Sequence, residues 1–141
     1  MKSCLIIEDS EPIREIASAL VTDLGFEVLE ADGAETGLAL YQESKPDVVL
    51  IDWDMAKFAA MDFFKAFAEF DAETKVPVIV CATENDPQEI NVARAAGGAA
   101  WILKPFDKFE IAQCFVELGF IAEDAVKPKP KPRARRTKKA S

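Results

Sequence analysis

Short apolar runs alternate with stretches of helical periodicity over the first 120 residues of the chain. The apolar runs, most of them rich in β-branched residues, predict strands that are buried on both faces. These runs lie at 4–7, 26–30, 48–52, 76–82 and 99–103. Apolar residues at helical spacing predict helices at 11–24, 34–44, 61–70, 87–97 and 108–119. Five strand–helix units in succession predict an α/β fold, a doubly wound five-stranded parallel sheet flanked by five helices.

The residues that bound these stretches agree with the predicted helices. Ser10 is a good N-cap for the first helix, with Pro12 in its first turn, and Gly25 ends it. Asp107 and Glu110 have the spacing of a capping box, which predicts that the last helix begins between them.

Charge divides the chain into two parts. Residues 1–126 hold nine Lys or Arg and all 25 Asp and Glu, whereas residues 127–141 (KPKPKPRARRTKKAS) hold eight Lys or Arg and no acid. The Lys-Pro alternation and the like charges predict an extended tail that is disordered when free. We therefore expect one domain at 1–120, a linker at 121–126 and a disordered basic C-terminal tail at 127–141.

Composition also limits the class of protein. The chain has no His, and its three Cys lie in apolar or helical stretches without metal-ligand spacing, so we expect buried, reduced thiols in a cytoplasmic protein. The N-terminus lacks a signal-peptide pattern, and no run approaches the ~20 apolar residues of a membrane span. The acidic domain should repel nucleic acid and anionic membranes, whereas the basic tail should attract them. For the chain as a whole we expect no stable membrane association and no nucleic-acid partner.

Acidic residues and one lysine follow the predicted strands. Glu8 and Asp9 end the first strand, Asp52 and Asp54 the third, and Lys104 the fifth. The carboxyl ends of parallel strands meet at one edge of a sheet, where ligands bind. Clustered carboxylates suit Mg²⁺, and a carboxylate can accept a phosphoryl group when a metal and a lysine neutralise the charge. The alternative is that these acids are solvated loop residues.

The stretches IIEDS, VVLIDWDM and KPF resemble, in this order, the CheY-like receiver domain of two-component response regulators. The resemblance covers roughly residues 2–120. It implies that Asp52 is the phosphoacceptor and that Lys104 contacts the phosphoryl group. It also implies that Glu8, Asp9 and Asp52 bind Mg²⁺, with the main chain of Asp54 completing the metal shell.

Two departures from the receiver pattern concern its conformational switch. Ala82 stands where receivers carry a Ser or Thr, and Thr83 is one position away on an alternating strand. The segment 55–60 (MAKFAA) lacks the usual turn residues, and we expect it to form an exposed apolar loop. Trp101 occupies the position of the switch aromatic residue. Phosphorylation is therefore expected to be coupled to shape change in an altered way.

The basic tail resembles the arginine-rich C-terminal extension of CheY-like cyclic di-GMP effectors. Arginine binds phosphate in bidentate fashion and can contact guanine edges and planes. The resemblance implies that Arg133, Arg135 and Arg136 bind cyclic di-GMP, with Lys138 and Lys139 as weaker candidates. It also implies a non-enzymatic signalling protein that docks the flagellar motor switch protein.

Two other functions stay open from the sequence. One is a conventional single-domain response regulator, phosphorylated on Asp52 by a histidine kinase, with an incidental tail. The other is a nucleic-acid or membrane-surface binder that acts through the tail. For partner docking, the sequence offers two candidate surfaces. The first contains Arg94, Trp101, Lys108 and Phe109, and the second is the segment 55–60.

Overall fold

The computed structural model of the protein describes residues 2–55, 59–70, 76–105 and 107–122. In these ranges five strands alternate with five helices. The strands are β1 (Ser3–Ile7), β2 (Glu27–Ala31), β3 (Val48–Asp52), β4 (Val78–Ala82) and β5 (Ala100–Leu103). The helices are α1 (Glu11–Asp23), α2 (Ala34–Ser44), α3 (Ala59–Phe70), α4 (Pro87–Ala96) and α5 (Lys108–Glu117). None of these helices combines the length and the apolar character needed to cross a bilayer.

The five strands form one parallel sheet in the order β2-β1-β3-β4-β5. Ile7 of β1 pairs with Ile51 of β3, and Asp52 of β3 pairs with Cys81 of β4. From β1 the chain passes to β2 on one side of β1, and it then returns to form β3 on the other side of β1. The direction in which strands are added therefore reverses at β1, and the carboxyl ends of β1 and β3 lie next to each other at this point. The predicted doubly wound parallel sheet with five flanking helices is confirmed.

Helices cover both faces of the sheet. On one face, Ile7 and its neighbours on the central strands pack with Phe63 of α3. On the other face, Ile6 packs in a cluster with Phe115 of α5. Consecutive residues of a strand point to opposite faces of the sheet, and helices cover both faces. Both sets of side chains are therefore buried, which explains the continuous apolar runs of the central strands.

The predicted starts of α1 and α5 are confirmed by their caps. Ser10 Oγ accepts the main-chain N–H of Ile13 at the start of α1. At the start of α5, Asp107 Oδ1 accepts the N–H of Glu110 at 2.9 Å, while Glu110 Oε1 accepts the N–H of Asp107 at 3.2 Å. These bonds satisfy amides that have no partner within the helix, and they fix where each helix leaves the carboxyl edge of the sheet.

The prediction of an exposed apolar loop at 55–60 was wrong at both of its ends. Met55 and Ala60 are 6 % and 2 % exposed and belong to the core cluster that contains Phe63. Alanine is the best helix former, and α3 begins at Ala59, two residues earlier than predicted. Residues 56–58 lie outside the described ranges.

The three cysteines are buried and unpaired, as predicted. Burial raises the pKa of the Cys4 and Cys81 thiols, and it raises the pKa of Cys114 to about 11. Because the thiolate is the reactive form, these residues act as packing groups rather than nucleophiles.

Candidate functional site

Acidic side chains and one lysine meet at the carboxyl edge of the sheet. Glu8 follows β1, Asp52 ends β3, and Lys104 follows β5. Glu8 and Asp52 are 4 % and 3 % exposed, although carboxylates are rarely buried without a partner. Asp9, the next residue after Glu8, is exposed. The structure therefore brings together the residues that the sequence placed at these strand ends.

Lys104 joins the buried carboxylates. Its Nζ donates to Asp52 Oδ1 at 2.8 Å and to Glu8 Oε1 at 3.4 Å. A third carboxylate oxygen, Oδ2 of Asp54, lies 4.0 Å from the same nitrogen. The lysine side chain is only 8 % exposed, so these charges interact in a poorly hydrated environment. One cation faces several carboxylates, and the excess negative charge favours a further cation at this edge.

Main-chain amides hold the carboxylates in place, and an arginine holds the main chain of Glu8. The N–H of Ser10 donates to Glu8 Oε2 at 3.1 Å, and the N–H of Asp54 donates to Asp52 Oδ1 at 2.9 Å. Arg14 Nη1 of α1 donates to the carbonyl oxygen of Glu8 at 2.8 Å. The sequence did not reveal the role of Arg14, because an arginine in the first turns of a helix usually faces solvent.

The electrostatic environment perturbs two of these groups. Burial, and after it the neighbouring Asp52 carboxyl, raises the pKa of Glu8 to about 7, against the opposing effects of the Ser10 amide and Lys104. Burial on its own would lower the pKa of Lys104, but the hydrogen bond and charge of Asp52, with Glu8, raise it. Glu8 therefore titrates near neutral pH, while Lys104 stays charged.

The carboxylates fit a divalent cation. Ligand oxygens of Glu8, Asp9 and Asp52 all lie within 4.8 Å of one another. Mg²⁺ prefers hard oxygen ligands and keeps several of its waters, and the exposed Asp9 leaves room for them on the solvent side. The donor set thus suits the predicted Mg²⁺. The further contact from the main chain of Asp54 stays a prediction.

The end of β4 brings no side-chain hydroxyl into the cluster. Ala82 is buried and has only a methyl group, while Thr83 is exposed. The main-chain N–H of Thr83 donates to Asp54 Oδ2 at 2.9 Å. This contact could not be predicted from the sequence, because every residue except proline has a main-chain N–H. Next to the cluster lies an apolar pocket of about 220 Å³. It is lined by Ile13, Ile16, Thr83, Lys104 and Pro105.

Trp101 is half-buried on the α4 side of the sheet. Its ring centroid lies 5.7 Å from that of Trp53, and among the described residues its Nε1 is buried without a hydrogen-bond partner. Arg94 and Lys108 are exposed and Phe109 is half-buried. This surface matches the first predicted docking surface in exposure, and its use stays a prediction.

The predicted ligand-binding residues of the tail lie outside the described residues. These are Arg133, Arg135, Arg136, Lys138 and Lys139. The same holds for the predicted disorder of 127–141 and for most of the predicted linker. Both stay predictions.

A family model described as the response regulator receiver domain matches residues 4–115. Among curated proteins, the chemotaxis protein CheY of Thermotoga maritima is 29 % identical over 113 residues, which is 79 % of this chain and 92 % of that protein. The chemotaxis protein CheY-3 of Vibrio cholerae is 32 % identical over 103 residues, covering 72 % of this chain and 79 % of that one.

Longer regulators and solved structures also match. The phosphate regulon transcriptional regulatory protein PhoB of Pseudomonas aeruginosa is 26 % identical over 78 % of this chain, which spans only 48 % of that regulator. The chain therefore spans about half the length of the first curated relatives that it matches. Among solved structures, CheY4 of Vibrio cholerae superposes with a TM-score of 0.77 at 27 % identity, covering 83 % of this chain and 98 % of that one.

Proposed function

This chain belongs to the response regulator receiver domain family, and we propose that it is a signalling protein, not an enzyme, with two chemical inputs. One input is a phosphoryl group on Asp52. The other is cyclic di-GMP, bound by the C-terminal arginines Arg133, Arg135 and Arg136. The first rests on the site geometry and the second on the sequence of the tail, so each has its own test.

The observation that carries the first input is the 2.8 Å contact between Lys104 Nζ and Asp52 Oδ1. A buried carboxylate is a nucleophile, and the charged lysine next to it can neutralise negative charge on the group that is transferred. Glu8 and Asp9 complete a set of oxygens that would hold Mg²⁺, and a bound Mg²⁺ would neutralise charge on the transferred group.

The transfer is a simple displacement at phosphorus. An oxygen of Asp52 forms the new bond to phosphorus, and the bond from phosphorus to the donor oxygen or nitrogen breaks. The leaving group keeps the electron pair. Lys104 stays protonated throughout, because its neighbours hold its pKa above the ordinary value, and it pairs with the phosphoryl oxygens afterwards.

Acetyl phosphate and Mg²⁺ test this input directly. We expect a phosphoryl adduct by intact mass spectrometry in the wild type and none in Asp52→Asn or without Mg²⁺. Asp47→Asn is a matched control, because Asp47 is an exposed acid whose carboxylate accepts the Ser3 amide at the opposite edge of the sheet. Equal labelling of wild type and Asp52→Asn would exclude Asp52 as the acceptor.

The proposal of cyclic di-GMP as the second input is supported by the spacing and chemistry of the arginines in the tail. Cyclic di-GMP presents two phosphates and two guanines, and Arg can pair with the former and stack on or hydrogen-bond to the latter. A second input is also supported by Ala82, which stands where receivers carry a Ser or Thr. Because Ala82 offers no hydroxyl to a phosphoryl group, the usual response to phosphorylation lacks one of its contacts. The tail would be ordered on binding, which costs part of the interaction energy.

Calorimetry with cyclic di-GMP tests the second input. We expect binding in the wild type and in Asp52→Asn, and none in Arg135→Ala/Arg136→Ala. Two controls separate charge from geometry. Lys138→Ala/Lys139→Ala removes the same charge and should bind nearly as well, whereas Arg135→Lys/Arg136→Lys keeps the charge and should bind poorly. No heat in the wild type, or equal binding of DNA with a steep salt dependence, would contradict this input.

The partner that we propose is a flagellar motor switch protein. The chemotaxis names of the CheY relatives support it, as does the likeness of the tail to cyclic di-GMP effectors. Binding of a purified switch protein should depend on one of the two inputs, phosphorylation or the dinucleotide. Affinity that neither input changes would contradict a regulated interaction. Phosphorylation by a histidine kinase is the proposed source of the phosphoryl group.

A further inference from the structure

Two side chains that follow β3 hold the segment between β4 and α4. Asp54 Oδ2 accepts the main-chain N–H of Thr83 at 2.9 Å. Trp53 Nε1 donates to Glu89 Oε1, in the first turn of α4, at 2.7 Å. Consecutive residues thus bind both the start of the β4–α4 connection and the helix that follows it.

Ala82, the last residue of β4, has no polar side-chain atom. Its side chain can therefore hydrogen-bond neither to Asp52 nor to a bound anion, and it does not fix the β4–α4 connection to the site. The N–H of Thr83 is the first main-chain donor after β4. It is occupied by the carboxylate of Asp54, whose Oδ2 lies 4.0 Å from Lys104 Nζ. A carboxylate of the chain itself therefore lies between the lysine and that donor.

We propose that Trp53 and Asp54 clamp the β4–α4 connection to the end of β3 before any anion binds, and that an anion must displace the Asp54 carboxylate to use the Thr83 N–H. The position of α4 is then set by residues 53 and 54 instead of residue 82. The first part is independent of both proposed inputs. The second part rests on the proposed anion acceptance at Asp52.

Hydrogen exchange of the Thr83 amide, followed by NMR, tests the first part. Asp54→Ala removes the acceptor, and we expect at least about threefold faster exchange, in line with the net loss of one hydrogen bond. Asp54→Asn keeps an acceptor oxygen and should behave like the wild type. Glu84→Ala removes an exposed acid from the same connection and is the control. Unchanged exchange in Asp54→Ala would overturn the clamp.

Fluorescence tests the tryptophan half, since Trp53 and Trp101 are the two tryptophans of the chain. Glu89→Ala frees the Trp53 indole N–H, and we expect a shifted emission maximum, while Glu89→Gln keeps an acceptor and should leave the spectrum unchanged. Identical spectra for Glu89→Ala and the wild type would overturn this half.

Beryllofluoride with saturating Mg²⁺, a tetrahedral stand-in for a phosphoryl group, tests the second part. Asp54→Asn removes the repelling charge but keeps the hydrogen bond, and Asp54→Ala removes both. We therefore expect affinity to rise from wild type to Asp54→Asn and again to Asp54→Ala, by about threefold or more in total. Equal affinity in the two variants would show a charge effect alone and overturn displacement. If no form binds beryllofluoride, acceptance at Asp52 and the displacement fail together, while the exchange rates still decide the clamp.

Discussion

Lys104 Nζ and Asp52 Oδ1 are 2.8 Å apart, although 52 positions separate the two residues in the sequence. The parallel sheet produces this contact, because β3 and β5 end at the same edge with only β4 between them. The lysine also donates to Glu8, so one positive charge offsets the negative charges of two buried carboxylates. The same side chain that serves the chemistry of the site therefore also stabilises the folded state.

Lys104→Met should therefore destabilise the protein at pH 7. Methionine matches the lysine in length but leaves Glu8 and Asp52 buried without a cation, and breaking such a pair costs about 3 kcal/mol or more. Urea unfolding measures the loss. Lys65→Met, at an exposed position of α3, is the control and should change the free energy of unfolding by less than about 0.5 kcal/mol. A similarly small loss in Lys104→Met would contradict the assigned role.

Glu8 should make stability depend on pH near neutrality when no metal is present. Its pKa is raised from an ordinary 4.5 to about 7, so the folded state binds this proton more tightly than the unfolded state. The resulting stabilisation is fully present below the unfolded value and is lost as pH rises through about 7. We expect the free energy of unfolding to fall between pH 5 and 8 by on the order of 2 kcal/mol from this group.

Glu8→Gln isolates the effect, because glutamine does not titrate. Urea unfolding from pH 5 to 8 in the presence of a chelator should show a flatter profile for this variant than for the wild type. Glu15→Gln, on the exposed face of α1, should keep the wild-type profile. Parallel profiles for the wild type and Glu8→Gln would contradict the raised pKa.

Most of the fold could be predicted from the sequence, and so could the charged residues that meet at the site. Apolar periodicity placed all five strands and five helices, and strand ends alone brought Glu8, Asp52 and Lys104 to one edge. Contacts that depend on side-chain reach could not be predicted in this way. The main-chain donor at Thr83 and its acceptor Asp54 come from separate loops, and their pairing depends on loop geometry rather than residue type.

The error at 55–60 has a related cause. An apolar segment after a strand either faces solvent or returns to the core, and periodicity does not distinguish the two over so few residues. Met55 and Ala60 return to the core because α3 begins early and brings Phe63 against the sheet. Burial was decided by the start of one helix, and helix ends are the least certain feature of a sequence prediction.

Mg²⁺ should stabilise the wild type and should do so through Asp9. A cation that binds only the folded state adds about 1.4 kcal/mol at ten times its Kd. Asp9→Asn removes an exposed ligand without disturbing the core, so we expect its melting temperature to respond weakly to Mg²⁺. Glu11→Gln, an exposed acid two residues away, should respond like the wild type. Because bound Mg²⁺ requires ionised Glu8, the response should be larger at pH 8 than at pH 6. Equal responses of wild type and Asp9→Asn would exclude this metal site.

Two glycines at the start of α2 should respond in opposite ways to a side chain. A Cβ at Gly37 would lie 2.5 Å from Ile7 Cδ1 and 2.8 Å from its Cγ1, inside a packed core. Gly37→Ala should therefore lower the free energy of unfolding by about 1–2 kcal/mol, although alanine is the better helix former.

Gly33, the N-cap, has extended backbone, no side-chain cap and open space around its Cα. Gly33→Ser should gain about 0.5–1 kcal/mol through a capping hydrogen bond and a less flexible unfolded chain. Urea unfolding of both variants checks the pair, and a stabilised Gly37→Ala would contradict the close contact between α2 and β1.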